Sequence, residues 1–406
     1  MIRQIIANLT QIELIKKIYC KTGLFHDEPK IYHYETIIDY KYLAKKNSEK
    51  YYTYYSENDI IGSGISFFSK EEAIQKSLSE AIERLTFYTV NVNKIITDKT
   101  KLDFIRKQQQ KFILKYKHDD ENEYQYGLIK AKKLNDPKNI FYISPKHIYP
   151  YYLRYLMYKK NLKKINIYPI KTSSNGLATH IDLSSAIING IYEVIERDAF
   201  IDSYISNTGF FKVKLTSLKN NKIKKLDKLC KKYLLKWLLF YIETNLKIPT
   251  FLSLLIDQSE KIPMNSFGIK SNLNPIKAII GSLEEAFIGR HSLKILSVDP
   301  KLNLIFHFQT KNNWTILEKF LFEKEYSNKL INLLKKAKGL EINLEKIRYA
   351  KKQELLKILN ILQKKNIDIY YVNLSLKEIK NYFTIKIIAP KLKSLEIDIS
   401  KYSTDS

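Results

Sequence analysis

The residues of this chain best suited to chemistry are glutamates in pairs. Glu80 and Glu83 stand three residues apart in SEAIER, and Glu193 and Glu196 repeat that spacing in YEVIER. On a helix, positions i and i+3 share a face with Cβ atoms about 5–6 Å apart, so each pair sets two like charges side by side. The intervening positions are apolar (Ala81 and Ile82; Val194 and Ile195), which draws the acids toward the interior, where they need a compensating cation. Carboxylate oxygens suit Mg²⁺, which binds through one or two carboxylates together with nucleotide phosphates.

The pairs belong to a pattern that occurs three times. Aligned on an alanine, the copies are AIQKSLSEAIER from Ala73, AIINGIYEVIER from Ala186 and AIIGSLEEAFIG from Ala278. A glutamate follows each alanine at the same interval: Glu80, Glu193 and Glu285. The third copy has Ile288 in place of a second glutamate, and Arg290 shortly after. Three of the chain's seven arginines, Arg84, Arg197 and Arg290, fall at or near the ends of these segments. A guanidinium fork fits phosphate or carboxylate in a way that lysine does not. One ExxER is explained by a solvated helix face; two in matched positions, with a third partial copy, point to a shared site.

Periodicity places the acids on helices running from Lys70 to about Val90, from after an Asp182 N-cap to about Ile205, and from Pro275 to about Leu293. Extended segments are expected at Tyr51–Phe68, Tyr124–Lys130, Ile140–Ile143, Ile165–Leu177, Leu238–Glu243, Thr250–Asp257, Asp368–Leu374 and Phe383–Ile388. Further helices are expected within Asp103–Asn122 and over Lys219–Lys236, Thr315–Lys338 and Lys351–Lys364. Helices interspersed with short, often adjacent strands predict an α+β fold of mixed sheets packed with helices. No linker divides the chain.

These strings, taken with GSGISFF before the first helix and SSNGLATHIDL before the second, resemble the YcaO superfamily, above all its peptide cyclodehydratase (azoline-forming) branch. The resemblance runs from about Gly62 to Arg290. It implies an ATP-binding fold with internal helix repeats and no P-loop, residues 61–406 forming the catalytic domain and residues 1–60 an N-terminal segment packed on it. It also implies ATP and Mg²⁺ as cofactors: Glu80, Glu83, Glu193 and Glu196 as metal ligands, Ser77, Asn175 and Asn189 as nucleotide contacts, Arg197 and Arg290 facing phosphate, and Glu285 completing the acidic ring. Glu83, Glu196, Arg197 and Arg290 are the expected catalytic residues. Members phosphorylate a backbone amide oxygen after a nucleophile has added to its carbon, giving thiazoline or oxazoline from Cys, Ser or Thr, or a thioamide from external sulfide. Many azoline-forming members end in alternating prolines, whereas this chain ends SLEIDISKYSTDS; thioamide synthesis is therefore the alternative.

The net charge of +27 rests on 69 basic residues, all lysine except the seven arginines. With Tyr at 30, the lysine excess reads as background composition rather than a nucleic-acid footprint, although it would draw in acidic peptides or ATP. The Tyr-rich run from Tyr51 reads as a half-buried strand, the basic helix around Lys222 as an amphipathic surface helix, and His180 as a surface histidine. Two cysteines cannot build a disulfide framework, and neither a signal peptide nor a membrane span is recognisable, so a cytoplasmic location is expected. The expected partners are a precursor peptide and a separate protein that recognises its leader or delivers sulfur; a homodimer stays open, and membrane and nucleic acid are disfavoured. The reading from another class is a non-catalytic scaffold or nucleic-acid-binding relative, which would be expected to have lost some of the paired acids.

Overall fold

The computed structural model describes residues 2–11, 13–53, 60–114, 127–160, 174–259, 263–298, 324–342 and 351–393. The three glutamate-bearing segments form helices Lys70–Tyr88, Leu183–Ser206 and Pro275–Val298, the first, second and third acid helices. Each starts where local chemistry dictates. Ser69 accepts the Glu72 amide, Asp182 accepts the Ser185 amide, and Pro275 opens the third helix.

Each acid helix lies on its own sheet. The first covers an antiparallel sheet of Ile15–Cys20, Tyr32–Ile38 and Ile60–Ser66, burying Leu78, Ala81, Ile82 and Leu85 against Ile38 and Ile60. The second lies on a sheet ordered Ile95–Ile96, Leu128–Lys133, Tyr370–Asn373, Phe383–Ile388 and Leu177–His180, with Asp136–Ile143 paired beside Leu128–Lys133. Its core joins Ala186, Ile187 and Ile191 to Ala178, Ile385 and Ile387. The third lies on a sheet ordered Asn265–Ser271, Thr250–Asp257, Leu235–Ile242, Phe210–Val213 and Lys338–Leu340, packing Ala278, Leu283 and Phe287 with Trp237, Phe251 and Leu255. The opposite face of that sheet is covered as well, since Phe200 and Tyr204 from the second helix and Leu330 and Leu334 from Lys324–Lys336 pack on Phe240 and Leu254.

The first and third units repeat one another in detail. An added Cβ at Gly62 would collide with the Ala81 amide, and one at Gly268 with the Ala286 amide, so in both places only glycine lets the helix backbone settle on the strand. Ser77 Oγ donates to Ile74 O at 2.9 Å and pairs with Thr36 Oγ1 at 2.8 Å. Ser282 Oγ donates to Ile279 O at 2.9 Å and pairs with Ser253 Oγ at 2.8 Å.

The α+β expectation holds. Every described strand pair is antiparallel except Phe210–Val213 with Lys338–Leu340. Strands at 15–20, 32–38, 210–213 and 265–271 lie outside the segments expected to be extended; IKKIYC and NSFGIKS lack clean alternation. The charged stretch expected as a helix within Asp103–Asn122 is helical over Lys99–Gln108, and its end from 115 lies outside the described residues. So do most of Ile165–Leu177 and the first part of Thr315–Lys338. Among the described residues, no helix is long and apolar enough to cross a membrane.

Candidate functional site

The glutamates of the three helices meet where their sheets adjoin, and each sheet contributes one backbone amide to one carboxylate. Ser63 N, in the sheet under the first helix, donates to Glu80 Oε2 at 2.7 Å. Thr179 N, in the sheet under the second, donates to Glu83 Oε2 at 3.1 Å. Ser271 N, in the sheet under the third, donates to Glu196 Oε2 at 3.3 Å. Each of these three carboxylates is thus oriented by a strand edge, that of Glu83 by a sheet other than the one its own helix lies on.

The site is short of positive charge. Glu80 is paired with Arg84 at 2.5 Å, on the exposed side. Lys270 Nζ lies 2.7 Å from Glu285 Oε1 and 3.9 Å from Glu196 Oε2, and Arg197 Nη1 lies 3.6 Å from Glu196 Oε1. These cations do not balance the acids. Burial, then the charges of Glu193 and Glu80, hold the Glu83 carboxyl well above the ordinary range. Burial also raises Glu193, against Arg197, Lys270 and Lys386. Burial and then the charge of Glu285 push Glu196 up to about 8. Glu196 is 1% exposed, and its Oε1 accepts no hydrogen bond. Lys270, although its burial works the other way, is held above the ordinary lysine range by Glu285 and then Glu196.

A buried acceptor without a donor, among carboxyls whose charged form burial disfavours, is a group that a cation would stabilise. The donor set fits Mg²⁺, whose coordination sphere is commonly completed by phosphate and water oxygens. Among the described residues, no three acid, cysteine or histidine side chains converge on a single metal position.

Of the residues expected at the site, Glu80, Glu83, Glu193, Glu196, Glu285 and Arg197 come together. Asn189 is exposed on the second helix, one turn before Glu193, and Asn175 is half-buried in the loop before Leu177–His180. Two others are placed elsewhere. Ser77 sits in line with Ala73 and Ala81 on the face turned to the sheet, is 0% exposed, and spends its hydroxyl on Thr36 and Ile74 O; a nucleotide would have to displace the helix to reach it. Arg290 is 1% exposed and turns away from the acids. Its guanidinium binds Glu28 through Nε at 2.9 and 3.0 Å, Pro263 O at 2.8 Å and Asp257 at 2.5 Å, so its donors are engaged by protein. His180, expected at the surface, is half-buried, and its Nδ1 accepts the Asp182 amide at 3.1 Å. Lys270 and the amides of Ser63, Thr179 and Ser271 carry no motif; only strand register brings them to the glutamates.

Residues 147–393 match the family profile described as YcaO cyclodehydratase, ATP- and Mg²⁺-binding. No curated protein matches in sequence. The fold is similar to that of YcaO from Methanopyrus kandleri bound with AMPPCP and Mg²⁺, at 10% identity and a TM-score of 0.68 over 98% of this chain and 93% of that one. It is also similar to a heterocyclase in complex with substrate and cofactor (13% identity, TM-score 0.62, 97% of this chain), about half of whose length (52%) the match covers. A third likeness is to the E. coli microcin synthetase McbBCD complex with pro-MccB17 bound, at 16% identity and a TM-score of 0.57 over 92% of this chain and 88% of that one. A profile spanning more than half of the chain, together with the repeated acid helices on three sheets, leads to one assignment: the chain belongs to the YcaO superfamily.

Proposed function

We propose that this protein is an ATP- and Mg²⁺-dependent enzyme that activates backbone amides of a ribosomally made precursor peptide, converting Cys, Ser or Thr to thiazoline or oxazoline. The observation that carries this reading is the buried, cation-deficient cluster of Glu83, Glu193 and Glu196 with the unbonded Glu196 Oε1. Support also comes from the family's ATP- and Mg²⁺-binding description and from likeness to a heterocyclase with substrate and cofactor.

In this reading Glu80, Glu83, Glu193 and Glu196 hold Mg²⁺, Asn175 and Asn189 contact the nucleotide, Arg197 faces phosphate, and Glu285 with Lys270 sets the local charge. Bound Mg²⁺ would neutralise charge on the phosphates. The peptide nucleophile gives up its proton as it adds to the amide carbon; the resulting oxyanion takes the γ-phosphoryl group of ATP with release of ADP; phosphate then leaves as the C–O bond breaks, the amide nitrogen loses its proton and C=N forms. The amide oxygen departs as phosphate, so no protein nucleophile is required. The residues named act by orientation and by fixed charge around the transferring group. Residues 61–406 would make up the catalytic domain, with strands Ile15–Cys20 and Tyr32–Ile38 of the N-terminal segment completing the sheet under its first acid helix. A separate protein would deliver the precursor, a reading supported by the McbBCD relative being a complex with its peptide bound.

Calorimetric titration with Mg·ATP tests the cofactor assignment: saturable binding is expected, and its absence would overturn the reading. The mass of a co-expressed precursor tests the chemistry. Loss of one water per modified residue marks azoline formation, and exchange of oxygen for sulfur marks thioamide synthesis instead.

A further inference from the structure

The strand that holds Glu80 is itself held by a buried pair of histidines. His33, on Tyr32–Ile38, and His291, on the third acid helix, meet Nδ1 to Nδ1 at 3.0 Å, with their rings stacked at 24°. They are 3% and 5% exposed. Phe25 and Phe287 pack against the His291 ring, each with its centroid 6.2 Å away. The other His33 nitrogen, Nε2, lies 2.8 Å from Ser63 Oγ. Ser63 is the residue whose amide donates to Glu80 Oε2.

We propose that His33 is a positioning residue for the acid site: seated on His291 and bonded to Ser63, it fixes the strand amide that orients Glu80. The proposal rests on the assignment of Glu80 as a ligand of the Mg²⁺ and nucleotide site. Ile60–Ser66 is an edge strand of its sheet, which leaves the Ser63 amide for Glu80. Gly62 and Gly64 flank Ser63 and seat the strand against the backbone of the first acid helix, so Ser63 carries the one side chain of the three. The other Glu80 oxygen is paired with Arg84, whose side chain is 50% exposed and is a loose anchor. The tie from Ser63 Oγ to His33 is therefore the side-chain link that sets this amide beside Glu80.

The pair is suited to the task because it stays neutral. Burial, then the nearby charge of His291 and Lys21, lowers His33 to about 3; burial, then Arg290 and Lys294, lowers His291 to about 4. Near neutrality one Nδ1 therefore carries a proton and the other accepts it, which makes a fixed link between the third helix and the first sheet.

The test is calorimetric affinity for AMPPCP with Mg²⁺, measured beside the thermal midpoint, in the full chain carrying His33→Ala, His33→Gln, Ser63→Ala or Glu80→Gln. His33→Ala and Ser63→Ala are each expected to weaken binding by about 3- to 10-fold, as for one hydrogen bond. The double variant should be no weaker than either single one, because both break the same link. His33→Gln, whose amide can reach Ser63 Oγ, should restore most of the affinity whatever it does to stability. Unchanged affinity in Ser63→Ala, or additive losses, with Glu80→Gln impaired, would overturn the positioning role and leave the site assignment standing. Wild-type affinity in Glu80→Gln would overturn both. If His33→Ala does not fold, Ser63→Ala and His33→Gln still decide the matter.

Discussion

The third acid helix carries two polar clusters on different faces, and they are built on opposite principles. At Glu285 it meets the glutamates of the other two helices, where Glu83, Glu193 and Glu196 are all held above the ordinary carboxyl range. At Arg290 and Lys294 it meets Glu28, Asp257 and Asp27, in ion pairs of 2.5 to 2.9 Å. There Asp257, despite its burial, is held below the ordinary range by bonds from Ser259 and Arg290. Both clusters are buried and both contain arginine. What separates a site from a strut here is charge balance: a strut supplies its own counter-ions, and a site leaves room for one that arrives.

The comparison breaks most sharply on the glutamates. Glu83→Gln or Glu196→Gln is expected to lower ATP turnover by about 100-fold or more, since in the proposed reading each removes a carboxylate that would hold Mg²⁺ at the transferring group, while the folded state persists because an amide of the same shape replaces a buried carboxyl whose neutral form burial already favours. Turnover at the wild-type rate in either variant would remove the distinction. Arg290→Met should do the reverse. It leaves Asp257 buried without its cation and Glu28 with Lys294 alone, at a loss of about 3–5 kcal/mol in urea unfolding, and lysine in its place should not restore the bidentate contact. Affinity for Mg·ATP, measured on the folded protein, should stay within about 2-fold; a large loss of affinity with stability intact would return Arg290 to the site.

A smaller effect concerns pH. Glu196 titrates at about 8 in the folded protein against 4.5 ordinarily, so the folded state keeps a proton that the unfolded chain has released. Stability without nucleotide should therefore fall as pH rises from about 4.5 to about 8, by an amount on the order of a few kcal/mol. Glu196→Gln should flatten that part of the pH dependence of the thermal midpoint. An identical profile in wild type and variant would mean the carboxyl is already balanced. Smallest is Ser77→Ala, expected to cost about 1 kcal/mol through loss of the Thr36 pair while Mg·ATP affinity is unchanged.

Much of this was legible in the chain itself. The three acid helices start within a residue or two of the expected positions, because their caps are local chemistry: Asp182 accepts the Ser185 amide with no help from elsewhere in the fold. The glutamates were legible because like charges at i and i+3 among apolar residues are anomalous wherever they occur. Arg290 and Ser77 were misplaced for the same reason as each other. Proximity in sequence to a motif gives a residue's helix and leaves its direction open. Arg290 stands five positions beyond Glu285, on a different face. Ser77 falls on the row of Ala73 and Ala81, which the sheet claims.

By itself the sequence determined which residues carry charge, how they repeat and which helices present them, since capping, periodicity and spacing act over a few residues. Only the tertiary structure decided which of those charges meet. Glu28 reaches Arg290 and Thr179 reaches Glu83 across long intervals of chain. Contacts of that kind depend on how three sheets dock, and no local pattern encodes the docking. The same docking excludes water from Glu196, and in the proposed reading that exclusion turns a repeated carboxylate into a place for a cation.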